Sequence, residues 1–328
     1  MSVVVLVEHD RGTLVAASEE ALTLGRALAA ALATACEAVT IGAAADGLAA
    51  DLARTGVAVV HQAHHEALAD YGPEVWADAL ASLVTDVEPA VVLACGTDRG
   101  QEVLAGLAAR LDLPFVANVV PDDLAPGTGR WALTRVRWGG SLLERTTLDA
   151  TGPVLLTSAP HAVEPVDADA PGDATPRPFP ARIDPASTVT VVRDRVERES
   201  GVTLATAAVV VGGGRGVGRA EGFAPLEELA AELGGMVGCS RAVTNNGWRN
   251  HTDQVGQTGT RIGADVYLAC GISGAIQHWV GASGAQCIIA VNTDREANMV
   301  TRADYAVIGD LHEVIPAVTA EIRRRRSA

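Results

Sequence analysis

The sequence predicts an α/β protein of two units, each built on a mainly parallel sheet with helices on both faces, and three observations carry this. Short apolar runs of strand length alternate with helical patterns over the first 157 residues. A proline-dense stretch from Ser158 to Ser187 breaks the alternation. A second alternation begins at Ala205. The length of 328 residues also fits two domains. They are expected at 1–196, including the proline-rich excursion 158–187, and at 197–328.

In chain order, strands are expected at 3–7, 38–42, 57–61, 90–95, 115–119, 131–137 and 153–157. Helices are expected between them at 18–35, 46–55, 73–86 and 99–110. Trp131–Thr147 has only Trp138-Gly139-Gly140 between two strand-like halves, which predicts an antiparallel hairpin at a sheet edge. Proline at the density of 158–187 cannot continue a helix or a central strand, so this stretch reads as an extended excursion or linker. A strand at Thr188–Val192 and a charged stretch at Arg193–Ser200 follow. The second unit has expected strands at 206–211, 235–239, 265–270, 286–291 and 304–308, and helices at 225–234, 273–281 and 311–325.

Composition excludes several functions. All 25 basic residues are arginine, and no lysine is present, which rules out a Walker A loop, a kinase phosphate-binding lysine and any Schiff-base lysine. A high-GC bacterial coding bias accounts for the missing lysine without a functional cause. The net charge of −15 leaves no basic stripe to displace counterions from a phosphate backbone, so no nucleic-acid partner is expected. The one basic run, Arg323–Arg326, reads as a solvated helix end, with contact to an anionic membrane or acidic partner as the alternative. Five scattered cysteines without a CxxC spacing fit buried, reduced thiols in the cytoplasm. Cys95 reads as a buried strand-end thiol rather than a nucleophile. Met1 leads directly into an apolar strand and not into a signal peptide. The window 266–293 carries no Asp, Glu, Lys or Arg, but its polar residues and glycines favour strand, helix, strand over a membrane span. His61, His64 and His65 read as a surface helix start in preference to a metal site, and no metal is expected. Trp131 and Trp138 are expected to pack at the hairpin.

Six motifs fall at strand ends of the second unit, where open α/β sheets bind ligands. Gly212-Gly213-Gly214-Arg215-Gly216 follows a strand; its glycines free the backbone amides to face an anion, although the dinucleotide spacing GxGxxG fails. Gly238-Cys239-Ser240-Arg241 places a guanidinium after the next strand. Gln254-Val255-Gly256-Gln257-Thr258-Gly259 offers neutral donors at close range. In Gly271-Ile272-Ser273-Gly274-Ala275-Ile276-Gln277-His278, a helix is expected to start near Ser273, as its N-cap. Asn292 and the Ala303–Leu311 segment complete the set. Each motif alone also has a bland reading as a turn, a surface salt bridge or a structural histidine. Together they suit holding a dinucleotide, and no nucleophile–base pair stands out.

The order of these motifs resembles the α subunit of electron-transfer flavoproteins: GGRG at Gly213–Gly216, G-C-S-R at Gly238–Arg241, GQTG at Gly256–Gly259, GISGAIQH unaltered at Gly271–His278, then Asn292 and Asp304-Tyr305…Asp310. Leu6-Val7-Glu8-His9 and Gly96–Gly100 resemble the family's first domain more loosely. The resemblance implies a Rossmann-like, doubly wound FAD-binding domain at the C-terminus and a heterodimer with a β subunit. AMP or a second FAD would belong to that β subunit. Electrons would pass one at a time from flavin dehydrogenases, such as acyl-CoA dehydrogenases, to a quinone oxidoreductase. The chain would be an electron carrier, soluble rather than membrane-inserted.

By the resemblance, FAD contacts fall on Arg215, Ser240, Arg241, Val255, Gly256, Gln257, Thr258, Ser273, Gly274, Ala275, Ile276, Gln277, His278, Asn292, Asp310 and Leu311. It implies that Arg215, with amides around Gly256 and Ser273, holds the diphosphate, and that Asn292 and Asp310 hold the adenosine end. Arg241 would lie against the isoalloxazine, Thr258 near N5 and His278 at the pyrimidine edge, the three together tuning the potential, with Arg241 and His278 as cations. The Arg193–Thr203 stretch is the expected hinge. Departures from the family pattern lie around these loops: Asn245 replaces an Asp, Thr260-Arg261 replaces a Lys, Ala264 replaces a Pro, and Ala297–Val300 replaces A-P-I-F. They bear on the potential and on partner choice. Two rival functions are a stand-alone flavin or nicotinamide oxidoreductase, and an adenine-nucleotide-binding module without redox chemistry.

Overall fold

The computed structural model describes residues 2–126, 129–140, 142–150, 152–193 and 202–327. They form two compact units. The first unit opens with strand β1 (Ser2–Leu6), a short hairpin of β2 (His9–Asp10) and β3 (Thr13–Leu14), helix α1 (Ala17–Ala31) and β4 (Ala35–Ile41). It continues through α2 (Leu48–Leu52), β5 (Val59–His64), α3 (Pro73–Val87), β6 (Val91–Cys95) and α4 (Asp98–Leu111). It ends with β7 (Phe115–Ala125), β8 (Arg130–Arg137), β9 (Leu142–Asp149), β10 (Val154–Ser158) and β11 (Thr175–Pro180).

Nine of these strands make one sheet in the order β11-β5-β4-β1-β6-β10-β7-β8-β9. The apolar runs of β1, β6 and β10 are buried along their whole length, as strands covered on both faces require. Two cores, one on each face, are packed from Val, Leu and Ala. The helices stop and start on local chemistry. Pro73 opens α3 where a missing N–H costs nothing, and the Thr97 hydroxyl accepts the Gly100 amide at the start of α4.

The hairpin predicted over 131–147 is β8 and β9, antiparallel, with Trp131 opposite Leu148. Trp131 is buried, but Trp138 at the turn is 78 % exposed, so only the first of the two tryptophans packs. The proline-rich excursion contains an unforeseen strand, β11, parallel to β5. Pro176, Pro178 and Pro180 take every second position, which an edge strand tolerates because the missing donors face outward. The strand expected at Thr188–Val192 is not formed. Val189 and Val191 are exposed and pair with no strand among the described residues. Residues 194–201 lie outside the described set, and with them most of the expected charged stretch and hinge.

The histidines also differ from expectation. His61 and His64 belong to β5 rather than to a helix start, and pair with separate carboxylates, Glu37 at 2.7 Å and Asp46 at 2.9 Å. His65 caps a short 3-10 turn by accepting the Ala67 amide. All five cysteines are free; Cys95 is buried, and burial pushes its thiol up to about 12.

The second unit contains β12 (Val209–Gly213), α5 (Ala224–Leu233), β13 (Met236–Cys239), α6 (Arg241–Asn245), β14 (Val266–Cys270) and α7 (Ile276–Ala282). It ends with β15 (Cys287–Asn292), α8 (Asn298–Arg302), β16 (Tyr305–Ile308) and α9 (Leu311–Arg326). Its five strands are all parallel, in the order β13-β12-β14-β15-β16. In chain order this is 2-1-3-4-5, a doubly wound arrangement distinct from the order of dinucleotide-binding sheets. The charge-free window 266–293 is β14, α7 and β15, and no helix among the described residues is long and apolar enough to cross a membrane. The arginines ending α9 meet nearby carboxylates: Arg323 reaches Glu228 and Glu232, while Arg324 and Arg325 reach Glu321.

Candidate functional site

Strand β12 has β13 on one side and β14 on the other, so the chain reverses its direction of winding there. At that switch point the loop after β12 crosses the loop after β14. The Gly214 amide donates to the Cys270 carbonyl at 2.8 Å, and the Gly216 amide to the Gly271 carbonyl at 3.1 Å. The glycine cluster is explained in part by this crossing. A Cβ on Gly216 would lie 2.7 Å from the Gly271 Cα. The preceding glycines serve the core: a Cβ on Gly213 would meet the Phe223 ring at 2.3 Å.

Beside the crossing lies a cavity of about 540 Å³. It brings together thirteen of the sequence-predicted residues: Arg215, Ser240, Arg241, Val255–Thr258, Ser273–Ala275, Gln277, His278 and Asn292. Ile276, Asp310 and Leu311 are not among its lining residues. Asp310 caps α9 by accepting the His312 amide at 2.9 Å, and Leu311 is buried in the core beside α5.

The donors divide into engaged and free. Arg215 and Arg241 line the cavity, are exposed, and form no ion pair among the described residues. The Gly256 amide is engaged by the Thr260 carbonyl and the Gln257 amide by the Gln277 carbonyl, so these two are not available as resemblance to the family implied. The amides of Ser273, Gly274 and Ala275 have no acceptor among the described residues. They belong to a loop rather than a helix, because α7 starts at Ile276 with Ala275 as its cap; Ser273 is not the N-cap. Gly274 holds φ +76°, and a Cβ there would lie 2.3 Å from the Met299 amide nitrogen. Three consecutive free amides and two guanidiniums make a donor set for an anionic group in an otherwise acidic chain. Asn292 is engaged within the chain: its amide donates to the Ile272 carbonyl at 3.0 Å and its oxygen accepts the Asp294 amide at 3.1 Å.

Gln254 falls in one of the sequence's loop motifs without being singled out there as a site residue. It is buried, donates to the Thr258 hydroxyl at 2.9 Å and accepts from the Thr244 hydroxyl at 2.9 Å. Because the Thr258 hydroxyl oxygen accepts the Gln254 N–H, its own proton is free for a ligand. Gln254→Leu removes both bonds, but the Thr244 hydroxyl keeps the Arg241 carbonyl and Thr258 is exposed, so the expected cost is about 0.5–1.5 kcal/mol. A denaturant midpoint equal to that of the unaltered protein would contradict this role. Asp294 and Ala297 also line the cavity.

His278 is 6 % exposed. Its Nε2 is 2.8 Å from the Tyr267 hydroxyl. Burial lowers its pKa to about 4, against an opposing pull from the Val255 carbonyl. The expected imidazolium is therefore corrected to a neutral ring at pH 7 in this chain, because desolvation penalises the charge. Arg241 alone retains the cationic part.

Residues 203–283 match the family model described as the electron transfer flavoprotein FAD-binding domain, and residues 3–194 match the electron transfer flavoprotein domain. The chain is 37 % identical over 324 residues to the electron transfer flavoprotein subunit alpha of Mycobacterium tuberculosis strain H37Rv, covering 99 % of each. It is 36 % identical over 326 residues to the subunit alpha of Mycobacterium leprae, covering 98 % of each. It is 33 % identical over 321 residues to that of Thermoanaerobacterium thermosaccharolyticum, covering 98 % of this chain and 97 % of the relative.

Proposed function

The chain belongs to the electron transfer flavoprotein α-subunit family, and from that premise we propose that its second unit holds FAD and, paired with a β subunit, relays electrons. The family is one of electron carriers and not of enzymes with substrate turnover. The proposed donors are flavin dehydrogenases, acyl-CoA dehydrogenases among them, and the proposed acceptor is a quinone oxidoreductase. AMP or a second FAD is assigned to the β subunit. The unpaired, mostly buried thiols suit a reducing cytoplasm.

The observation that carries this reading is the donor set at the switch point: Arg215 and the free amides of Ser273–Ala275 on crossing loops, with Arg241, Thr258 and His278 around the same cavity. Bound FAD supplies the one-electron chemistry. Arg215 and the Ser273–Ala275 amides would neutralise and orient its diphosphate. The guanidinium of Arg241 would favour negative charge on the ring, and the Thr258 hydroxyl, held by Gln254, would donate to it. The cavity's acid and base candidates are otherwise engaged: Asp294 accepts the Glu296 amide and His278 bonds Tyr267, which disfavours a stand-alone oxidoreductase. For the partner, β16 is an edge strand with Tyr305, Val307 and Ile308 exposed, an open apolar edge of the kind a second chain covers.

Co-expression with the β subunit is expected to give a yellow complex that a dehydrogenase and its substrate reduce. The complex alone turns over no small metabolite. A colourless complex, or turnover without a dehydrogenase, would contradict the proposal.

A further inference from the structure

Tyr267 lies on β14, fully buried, with its hydroxyl 2.8 Å from His278 Nε2 on α7. The two rings are 6.1 Å apart and tilted by 31°. The neighbouring strand makes room for this hydroxyl: a Cβ on Gly212 would lie 2.3 Å from it. We propose that Tyr267 is a positioning residue that fixes His278 as the neutral Nδ1–H tautomer, so that the ring presents one hydrogen-bond donor to a carbonyl of the bound flavin. This deepens the proposed function and rests on it for the identity of the acceptor.

The tautomer follows from proton accounting. The Tyr267 phenol has one proton, and His278 Nε2 is the acceptor it meets among the described residues. Burial keeps that phenol protonated. If Nε2 carried the ring proton, it would donate to the phenol oxygen and leave the phenol proton buried without an acceptor, a costly arrangement. The phenol therefore donates, Nε2 offers its lone pair, and the ring proton resides on Nδ1. Among the described residues Nδ1 is buried and has no hydrogen-bond partner, although the Val255 backbone lies close enough to favour the protonated ring. His278 is among the cavity-lining residues, and a bound flavin is the acceptor assigned to this unmatched donor. A ring held this way gives direction without a charge.

The test uses 15N-histidine-labelled complex, co-purified with the β subunit, as isolated and after flavin removal. His278 resonances are those missing in His278→Gln. Nδ1 is expected to be protonated and Nε2 unprotonated in both forms. Tyr267→Phe is expected to retain flavin, to lose the preference for Nδ1–H, and to weaken addition of the first electron about tenfold, a fall of ~59 mV in that midpoint. An Nε2–H or doubly protonated ring in the unaltered complex overturns the inference, as does an unaltered tautomer and potential in Tyr267→Phe. If the Phe variant fails to fold, the tautomer of the unaltered complex decides. A colourless complex with Nδ1–H overturns the flavin reading alone, whereas a yellow complex with Nε2–H overturns the role of Tyr267 alone.

Discussion

Gly214→Ala is expected to destabilise the second unit by about 1–3 kcal/mol and to release its flavin. The backbone at Gly214 has φ −107°, which alanine adopts without strain, so the effect is one of space. The added Cβ would lie 2.2 Å from the Gly271 carbonyl oxygen and 2.7 Å from its carbon. Both are backbone atoms at the loop crossing and cannot rotate aside. Relief requires the two loops to part. One of them carries Arg215 and the other Ser273–Ala275, so the diphosphate donors would separate. Gly47→Ala is the matched control, because a Cβ there meets nothing within 4 Å. Thermal midpoint and flavin content of the purified complex check the pair. A Gly214→Ala complex that keeps both would contradict the crossing as the site's foundation.

Arg241→Ala is expected to retain part of the flavin and to lower the first one-electron midpoint by ~60–130 mV. That range converts the roughly 1.5–3 kcal/mol of a charge-assisted hydrogen bond at 59 mV per tenfold. Arg241 is the first residue of α6, directly after β13, and forms no ion pair among the described residues that would dilute its charge. Its neighbour in the cavity, His278, is neutral, so the cationic contribution is not duplicated. Arg241→Lys is expected to recover part of the potential, since the ammonium keeps the charge but not the planar fork. A stepwise reductive titration measures this, and an unchanged midpoint in Arg241→Ala would contradict it.

The site was legible in the sequence to the extent that it depends on strand ends. Arg215, Ser240, Ser273 and Asn292 follow apolar runs that could only be buried strands, and a parallel sheet delivers such positions to one edge. What depends on hydrogen-bond partners was not legible. Gln254 reads as an ordinary loop amide until the fold places Thr244 and Thr258 on its two sides. Tyr267 reads as a core aromatic until α7 turns His278 onto its hydroxyl. The engaged amides of Gly256 and Gln257 show the same limit, since a glycine spacing does not reveal which carbonyl its amides meet. In the fold, β11 escaped notice because proline counts against strands in general and only an edge position removes the objection. The reverse held at Thr188–Val192, where β-branched residues met no strand to join. The first helical turn expected at Ser273 is instead an open loop, kept so by the left-handed Gly274.

The central claim is that FAD occupies the cavity at the β12–β14 switch point. A crystal structure of the complex co-purified with the β subunit tests it most directly. The account predicts flavin density there, with the diphosphate against Arg215 and the Ser273–Ala275 amides and the ring beside Arg241, Thr258 and His278. Flavin bound elsewhere in the complex, with Arg215 and Arg241 turned to solvent, would contradict it.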